Sequence, residues 1–289
     1  MLLQVQARAK INLTLDITGL LPDGYHELET VMQSIALADR LVFAPLPGGI
    51  ELETGASGVP AGPENLVWRA AELLRKQTGC RRGVRIHLFK NIPVAAGLGG
   101  GSADAAATLL ALNRLWSLDL SREELARLAL QLGADVPFCL AGGTALARGK
   151  GELLTPLPPL PPWGVVLVTP DVAVSTARIY KEYDRLLPVG RPDTQAMLRA
   201  VDRRDLAAVC ASLGNVLEPV TASLVPEVRR VKGALQEAGA AGVEMSGSGP
   251  TVFGLCSGEE EARRVAGRLD PRLGRIICTR LCAGAIHLQ

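Results

Sequence analysis

Residues Pro93 to Leu110 read P-V-A-A-G-L-G-G-G-S-A-D-A-A-A-T-L-L, with glycine at four of the five positions from Gly97 to Gly101 and an alanine-rich apolar run behind them. Backbone N–H groups approach an anion closely only where no Cβ intervenes. A helix opening on such a loop adds the unpaired N–H groups and positive dipole end of its first turn. The stretch therefore predicts a phosphate-binding loop that feeds a helix. The strand-like V-R-I-H-L-F of Val84 to Phe89 stands before it, which argues for a strand-to-helix connection rather than a flexible linker.

Two better-known glycine loops do not fit. Gly97, Gly99 and Ser102 give G-x-G-x-x-S, which lacks the last glycine of a dinucleotide fingerprint, and a helix pattern continues where that fingerprint needs an acidic residue about 20 positions on. The stretch Gly143 to Gly151, G-T-A-L-A-R-G-K-G, has one residue too many before Gly149 and places Gly151 where a P-loop needs Ser or Thr.

Working outward, Leu3 to Ile17 and Val31 to Phe43 alternate like strands around a Pro22-Asp23-Gly24 turn, which predicts an N-terminal sheet. Helical spacing covers Glu64 to Gln77 and Ser102 to Trp116, with Ser102 expected as N-cap. A third helix spans Ser121 to Leu132, where Ser121 and Glu124 form a capping-box signature. The run T-P-L-P-P-L-P-P-W from Thr155 to Trp163 is too proline-dense for a helix or a central strand. It is expected to hold two lobes at a fixed separation, which places domains at 1–155 and 163–289. Beyond it, Gly164 to Val168 reads as a strand, and Ala177–Leu186, Asp205–Leu213 and Val225–Ala238 as helices. Val243 to Cys256 reads as two strands around the turn S-G-S-G-P at Ser246 to Pro250.

The 289 residues suit two domains, and a net charge of +2 with 3% aromatic residues gives no electrostatic or stacking case for nucleic acid. Leu153 to Pro170 carries too many prolines for a membrane helix, so no membrane association is expected. The N-terminus lacks the apolar core of a secretion signal and the six cysteines are scattered through apolar runs, both of which suggest the cytoplasm. Cys278, Cys282 and His287 have no fourth ligand in view and lie in a strand-like segment, which argues against zinc. A small-molecule partner is expected, and a monomer and a homodimer both stay open.

Three further elements accompany the glycine loop: A-R-A-K-I-N-L near the start, L-G-A-D-V-P from Leu132 to Pro137, and S-G-S-G-P near the end. In this order and spacing they resemble the three motifs of the GHMP small-molecule kinases, over nearly the whole chain. The resemblance implies an α+β, two-lobed fold with an N-terminal lobe like ribosomal protein S5 domain 2 and a ferredoxin-like C-terminal lobe. It also implies ATP-dependent phosphorylation of an alcohol, with ATP and Mg2+. The turn D-G-Y-H at Asp23 to His26 resembles the branch that phosphorylates a cytidylyl-methylerythritol on the non-mevalonate route to isoprenoid precursors. Homoserine- or mevalonate-type kinases, and a non-catalytic ligand-binding relative, are the alternatives.

The same resemblance implies a role for each candidate residue. Pro93, Ala95, Gly97, Leu98, Gly99, Gly100, Gly101 and Ser102 cradle the nucleotide, Asn65 and Lys90 border the adenosine, Asp135 acts as catalytic base and Lys10 as its neighbour. Asn12 lies two residues along the strand from Lys10 and faces the same side, toward the acceptor. Tyr25 and Tyr180 offer rings for the cytosine and His26 a polar partner for its edge. Asn65 has the alternative reading of a helix cap. Asp104 stands where many family members carry Ser or Asn; it either helps hold the cation or complements the helix dipole on the outer side, so the metal ligand stays unassigned. Ser248 and Pro250 replace the commoner Thr and Ala of the third motif.

Overall fold

The computed structural model describes residues 2–56, 58–185 and 190–288. Two very long antiparallel strands, β1 (Leu3–Leu20) and β2 (His26–Leu46), make the spine of the molecule. The first six residues of β1 alternate buried with half-buried, whereas both faces of Ala9 to Leu15 are covered. The two-residue period of a half-solvated sheet gives way where a second layer packs on its other side. Strands β3 (Ile50–Thr54) and β4 (Gly83–Phe89) extend the sheet beside β2, with helix α1 (Leu66–Thr78) between them in sequence. The chain continues through α2 (Gly100–Leu115), α3 (Arg122–Leu132) and α4 (Val136–Ala141) to the antiparallel pair β5 (Thr144–Gly149) and β6 (Leu153–Pro156), and β5 joins β2.

Helix α2 is the pivot of this lobe. Its run of alanines, Ala103, Ala105, Ala106, Ala107 and Ala111, is fully enclosed, and small side chains let the helix lie close under β1 and beside α1. Gly99, in the left-handed conformation at φ 68°, is its N-cap, so the helix begins at Gly100 and not after Ser102 as expected; Ser102 lies inside the first turn. Helix α3 begins on Ser121 with both bonds of the expected capping box in place.

After the proline run, β7 (Gly164–Thr169) opens a second sheet. Helices α5 (Thr176–Tyr183), α6 (Thr194–Arg203) and α7 (Leu206–Ala211) lead to a short strand β8 (Gly214–Asn215), and α8 (Glu218–Leu224) and α9 (Glu227–Glu237) to β9 (Gly242–Met245). Strand β10 (Val252–Cys256), helix α10 (Glu259–Ala266), β11 (Arg275–Arg280) and β12 (Ile286–Leu288) complete the chain. The four-stranded sheet has the antiparallel order β11-β7-β10-β9, the ferredoxin-like arrangement. Leu186, the expected end of the helix from Ala177, lies outside the described residues. Helix α6 is absent from the expected elements, although Asp193 caps it and Met197, Ala200 and Val201 bury one face. The expected helix at Val225 to Ala238 is present as α9, preceded across Val225 and Pro226 by α8, which is absent from the expected elements.

The lobes are joined through a shared core and not spaced apart by the proline run. Ile11, Leu13 and Ile35 of the long strands pack with Val165, Leu167, Phe253 and Leu255 of the second sheet. The chain also crosses back: β8 pairs in parallel with β1 at Thr14 and Leu15, and β12 pairs antiparallel with β1 at Val5 to Ala7. We propose 1–155 and 163–289 as the principal spans of the two lobes, with β8 and β12 lent by the second to the first sheet.

Candidate active site

The glycine loop, the middle of β1 at Lys10 and the third-motif turn meet where the lobes join. The backbone N–H of Lys10 donates to the carbonyl of Leu98 at 3.0 Å, and Ser246 Oγ donates to the carbonyl of Gly97 at 2.9 Å. Gly97 adopts φ 77°, and a Cβ built on it would lie 2.1 Å from the Ser246 carbonyl oxygen, so only glycine fits between the two loops. No side chain caps the N-terminus of α2. Its first N–H groups are therefore left for a ligand, at the positive end of a sixteen-residue helix.

Beneath the loop runs a buried chain of polar side chains. Lys10 Nζ donates to Asn12 Oδ1 at 2.8 Å, Asn12 Nδ2 donates to Thr30 Oγ1 at 2.8 Å, and Thr30 Oγ1 donates to the Thr14 carbonyl at 2.5 Å. With Asn12 and Thr30 satisfied in this way, the Lys10 ammonium is held in one place, 3.4 Å from Asp135 Oδ2. Asp135 occupies the N-cap position of α4 but makes no capping bond, so its carboxylate is directed at Lys10 rather than spent on the helix. Its negative charge, after burial, is the second cause that pushes the Tyr180 phenol and the Cys139 thiol upward.

All sixteen candidate residues line one cleft of about 960 Å³. Tyr180, half-buried on α5, packs its ring on His26 with centroids 4.9 Å apart, and His26 Nε2 lies 2.6 Å from Asp184 Oδ1. Tyr25 stands apart from that stack, 62% exposed, with the Lys150 ammonium 4.1 Å from its ring centroid. Asn65 is the N-cap of α1: its Oδ1 accepts from the Val67 N–H and its Nδ2 donates to the Pro60 carbonyl, which holds the cleft-lining loop at 58–60 against the helix.

Lys90 lines the cleft with its ammonium clamped between Asp39 and Asp104, the latter at 2.7 Å. Asp39 also accepts the backbone N–H groups of Asn91 and Ile92. Asp104 is therefore not on the outer side of α2: it is buried on the inner face, and burial pushes its carboxyl up to about 8 despite Lys90. Its Oδ1 is enclosed and without a partner. Thr30, Asp39, Asp184 and Lys150 were not among the candidates. Another omission is Asn215, whose Nδ2 holds the third-motif turn through the carbonyls of Met245 and Gly247 at 2.8 Å each. Of these only Lys150 lies in a stretch read as a candidate motif, Gly143 to Gly151, and each meets a partner at least 16 residues away in sequence.

The fit of a magnesium ion follows from charge. Three lysines line the cleft against the carboxylates of Asp23, Glu64 and Asp135 and the buried carboxyl of Asp104, which burial holds up at about 8. Such a lining cannot by itself neutralise a polyphosphate, so a nucleotide entering here fits best with a divalent cation of its own. Among the described residues no three His, Cys, Asp or Glu side chains converge as a metal cage. Ser102, in the first turn of α2, lines the cleft with a hydroxyl that would be at hand for such a cation.

The class follows from this fold and from a family comparison. The model of the GHMP kinase N-terminal domain matches residues 65–143 and that of the GHMP kinase C-terminal domain matches residues 197–275; the chain belongs to the GHMP kinase family. A relative from Pelotomaculum thermopropionicum, 4-diphosphocytidyl-2-C-methyl-D-erythritol kinase, is 56% identical over 97% of this chain and 98% of its own length. A crystal structure of 4-(cytidine 5'-diphospho)-2C-methyl-D-erythritol kinase superposes with a TM-score of 0.83 at 41% identity, covering 97% of this chain and all of that one. A homoserine kinase from Cytophaga hutchinsonii shares the fold, with a TM-score of 0.79 at 22% identity over all of this chain and 97% of that one. No helix among the described residues is long and apolar enough to cross a membrane.

Proposed function

We propose that this chain transfers the γ-phosphoryl group of ATP to the 2-hydroxyl of 4-diphosphocytidyl-2-C-methyl-D-erythritol, a step of the non-mevalonate route to isoprenoid precursors. The observation that carries the reading is the Lys10–Asp135 pair, lined up in one cleft with the glycine loop and with the rings of Tyr25, His26 and Tyr180. Near-full-length relatives that bear this kinase name support the choice of acceptor. Its six cysteines, all free, support a reducing compartment, the cytoplasm.

In this mechanism the N–H groups of the loop and of the first turn of α2 hold the β- and γ-phosphates. Asp135 takes the proton of the acceptor hydroxyl, whose oxygen forms the new bond to the γ-phosphorus as the bond to the bridging oxygen of ADP breaks. Lys10, fixed by Asn12, meets the charge that develops on the transferred group. Bound magnesium, near Ser102, supplies charge neutralisation of the polyphosphate. Asn65 and Lys90 border the adenosine, and Asn12 faces the acceptor. Lys90, engaged by two carboxylates, serves as part of the wall and not as a free donor.

The test is kcat/KM with magnesium-ATP for the cytidylyl compound, its uridylyl analogue, homoserine and mevalonate, in the parent and in Tyr25→Ala. The reading expects the cytidylyl compound to be strongly preferred. Tyr25→Ala should penalise it by about fivefold or more, the worth of one aromatic pair, without weakening ATP. Preference for homoserine or mevalonate, or indifference to base together with an inert Tyr25→Ala, refutes it.

A further inference from the structure

We propose that Thr30 is a positioning residue of this site: its hydroxyl fixes which way the side-chain amide of Asn12 faces and, through Asn12, where the Lys10 ammonium stands against Asp135. This rests on the reading above, in which Lys10 and Asp135 act on the phosphoryl transfer.

A backbone irregularity brings these groups together. Asn12 stands opposite Met32 on β2 and Thr14 opposite Val31, so β1 carries one extra residue between them, a bulge that disturbs the ladder and re-aims side chains. Side chains take over the bonding there. The Val31 N–H donates to Thr14 Oγ1 at 3.0 Å, and Thr30 Oγ1 donates to the Thr14 carbonyl at 2.5 Å. Lys10, Asn12, Thr14 and Thr30 are each no more than 4% exposed, so bulk water does not replace a partner that is lost.

The direction of every bond in the chain follows from the Thr14 carbonyl. A carbonyl oxygen only accepts, and a hydroxyl has one proton. With that proton engaged at Thr14, Thr30 Oγ1 meets Asn12 as an acceptor, and their 2.8 Å contact takes an N–H from the amide. The amide nitrogen therefore points to Thr30 and the amide oxygen to Lys10, whose ammonium only donates. The opposite orientation would set oxygen against oxygen at Thr30 and N–H against N–H at Lys10, two unmade bonds in a sealed place. Of the two ends, Lys10 has a long jointed stem, whereas Thr30 is short, β-branched and locked between paired strands. Thr30 is thus the end that does the fixing. Asn12 Oδ1, held in this way 2.8 Å from Lys10 Nζ, keeps the ammonium 3.4 Å from Asp135 Oδ2.

The experiment compares Thr30→Val, Thr30→Ser, Asn12→Leu and the double variant of Thr30→Val with Asn12→Leu against the parent, on the full chain. It reads the single-turnover rate with saturating magnesium-ATP and the cytidylyl compound, or whichever alcohol of the panel above the parent prefers, and the dissociation constant of a non-hydrolysable ATP analogue. Thr30→Val keeps the side-chain shape and removes the hydroxyl; Thr30→Ala takes its place in the comparison if it does not fold. Either should lower the rate by about tenfold to a hundredfold, the scale of a small misplacement near the reacting group, with ATP-analogue affinity within about twofold of the parent. Thr30→Ser keeps the hydroxyl and should stay within about threefold of the parent rate. Since Thr30 acts through Asn12, the double variant should be no more than about twofold slower than Asn12→Leu alone, whereas a general structural loss would multiply with it. A parent-like rate without the hydroxyl, a Thr30→Ser as slow as Thr30→Val, or losses that multiply in the double variant overturn the proposal while leaving the kinase reading in place. A parent that phosphorylates none of the alcohols overturns both.

Discussion

Replacing Gly97 by alanine tests whether the glycine loop and the third-motif turn are one built unit. Two terms act at this position. An L-residue at φ 77° pays about 1–2 kcal/mol of left-handed strain. The new Cβ would also stand 2.1 Å from the Ser246 carbonyl oxygen and 3.2 Å from the Gly249 nitrogen, two backbone atoms that cannot rotate away. Relieving such an overlap costs about 1–3 kcal/mol by analogy with overpacked cores, and parting the loops strains the bond from Ser246 Oγ to the Gly97 carbonyl, worth about 1 kcal/mol more. Gly79 is the control: it has φ 69° at the C-cap of α1 and open space where its Cβ would go. Gly79→Ala should therefore carry the strain alone, offset by about 0.4–1 kcal/mol from the stiffer unfolded chain. Urea unfolding of the two variants should place Gly97→Ala about 2 kcal/mol or more below Gly79→Ala. The affinity for an ATP analogue should fall only in Gly97→Ala. Equal stabilities within about 0.5 kcal/mol, or an unchanged ATP-analogue affinity in Gly97→Ala, refute the reasoning.

Asp135→Asn should lower kcat by about 10²–10⁴ with ATP-analogue affinity nearly intact, since a proton acceptor is lost and no binding surface is; a pure variant that keeps half the parent rate refutes the assignment. Lys10→Met should act on the same step, and single-turnover measurements with saturating ligands show whether it does. A third prediction concerns pH. Burial pushes the Glu244 carboxyl up to about 9, next to Glu218 and Lys232, so between about pH 4.5 and 9 the folded state holds a proton that the unfolded chain has released. Stability should fall as pH rises through that window, and Glu244→Gln should flatten the decline; Glu218, held low, acts only below it. Urea midpoints at pH 6 and 9 check this, and the same slope in parent and variant sinks it.

Local chemistry is legible along the chain where neighbours in sequence are neighbours in space. The glycine loop, the Ser121–Glu124 capping box, the alternation of β1 and the shared face of Lys10 and Asn12 depend on spacings of a few residues, and the structure has them all. The cap of helix α2 falls three residues before the expected Ser102 because Gly99 turns left-handed, and with four glycines in five positions the sequence does not single out which one ends the loop. Long-range pairings are another matter. Lys90 meets Asp39 across 51 residues, Gly97 meets Ser246 across 149, and His26 meets Asp184 across 158. Which carboxylate a buried lysine chooses depends on how strands far apart in sequence register and on what the packing seals from water. By itself the sequence determined the glycine-rich connection from strand to helix and the elements that flank it. Only the tertiary structure decided that the lobes share one core, that Asp104 faces inward to Lys90, and that the end of the chain returns to pair with its first strand. The physical reason is that desolvation and strand pairing act on distances in space, which the order of residues does not state.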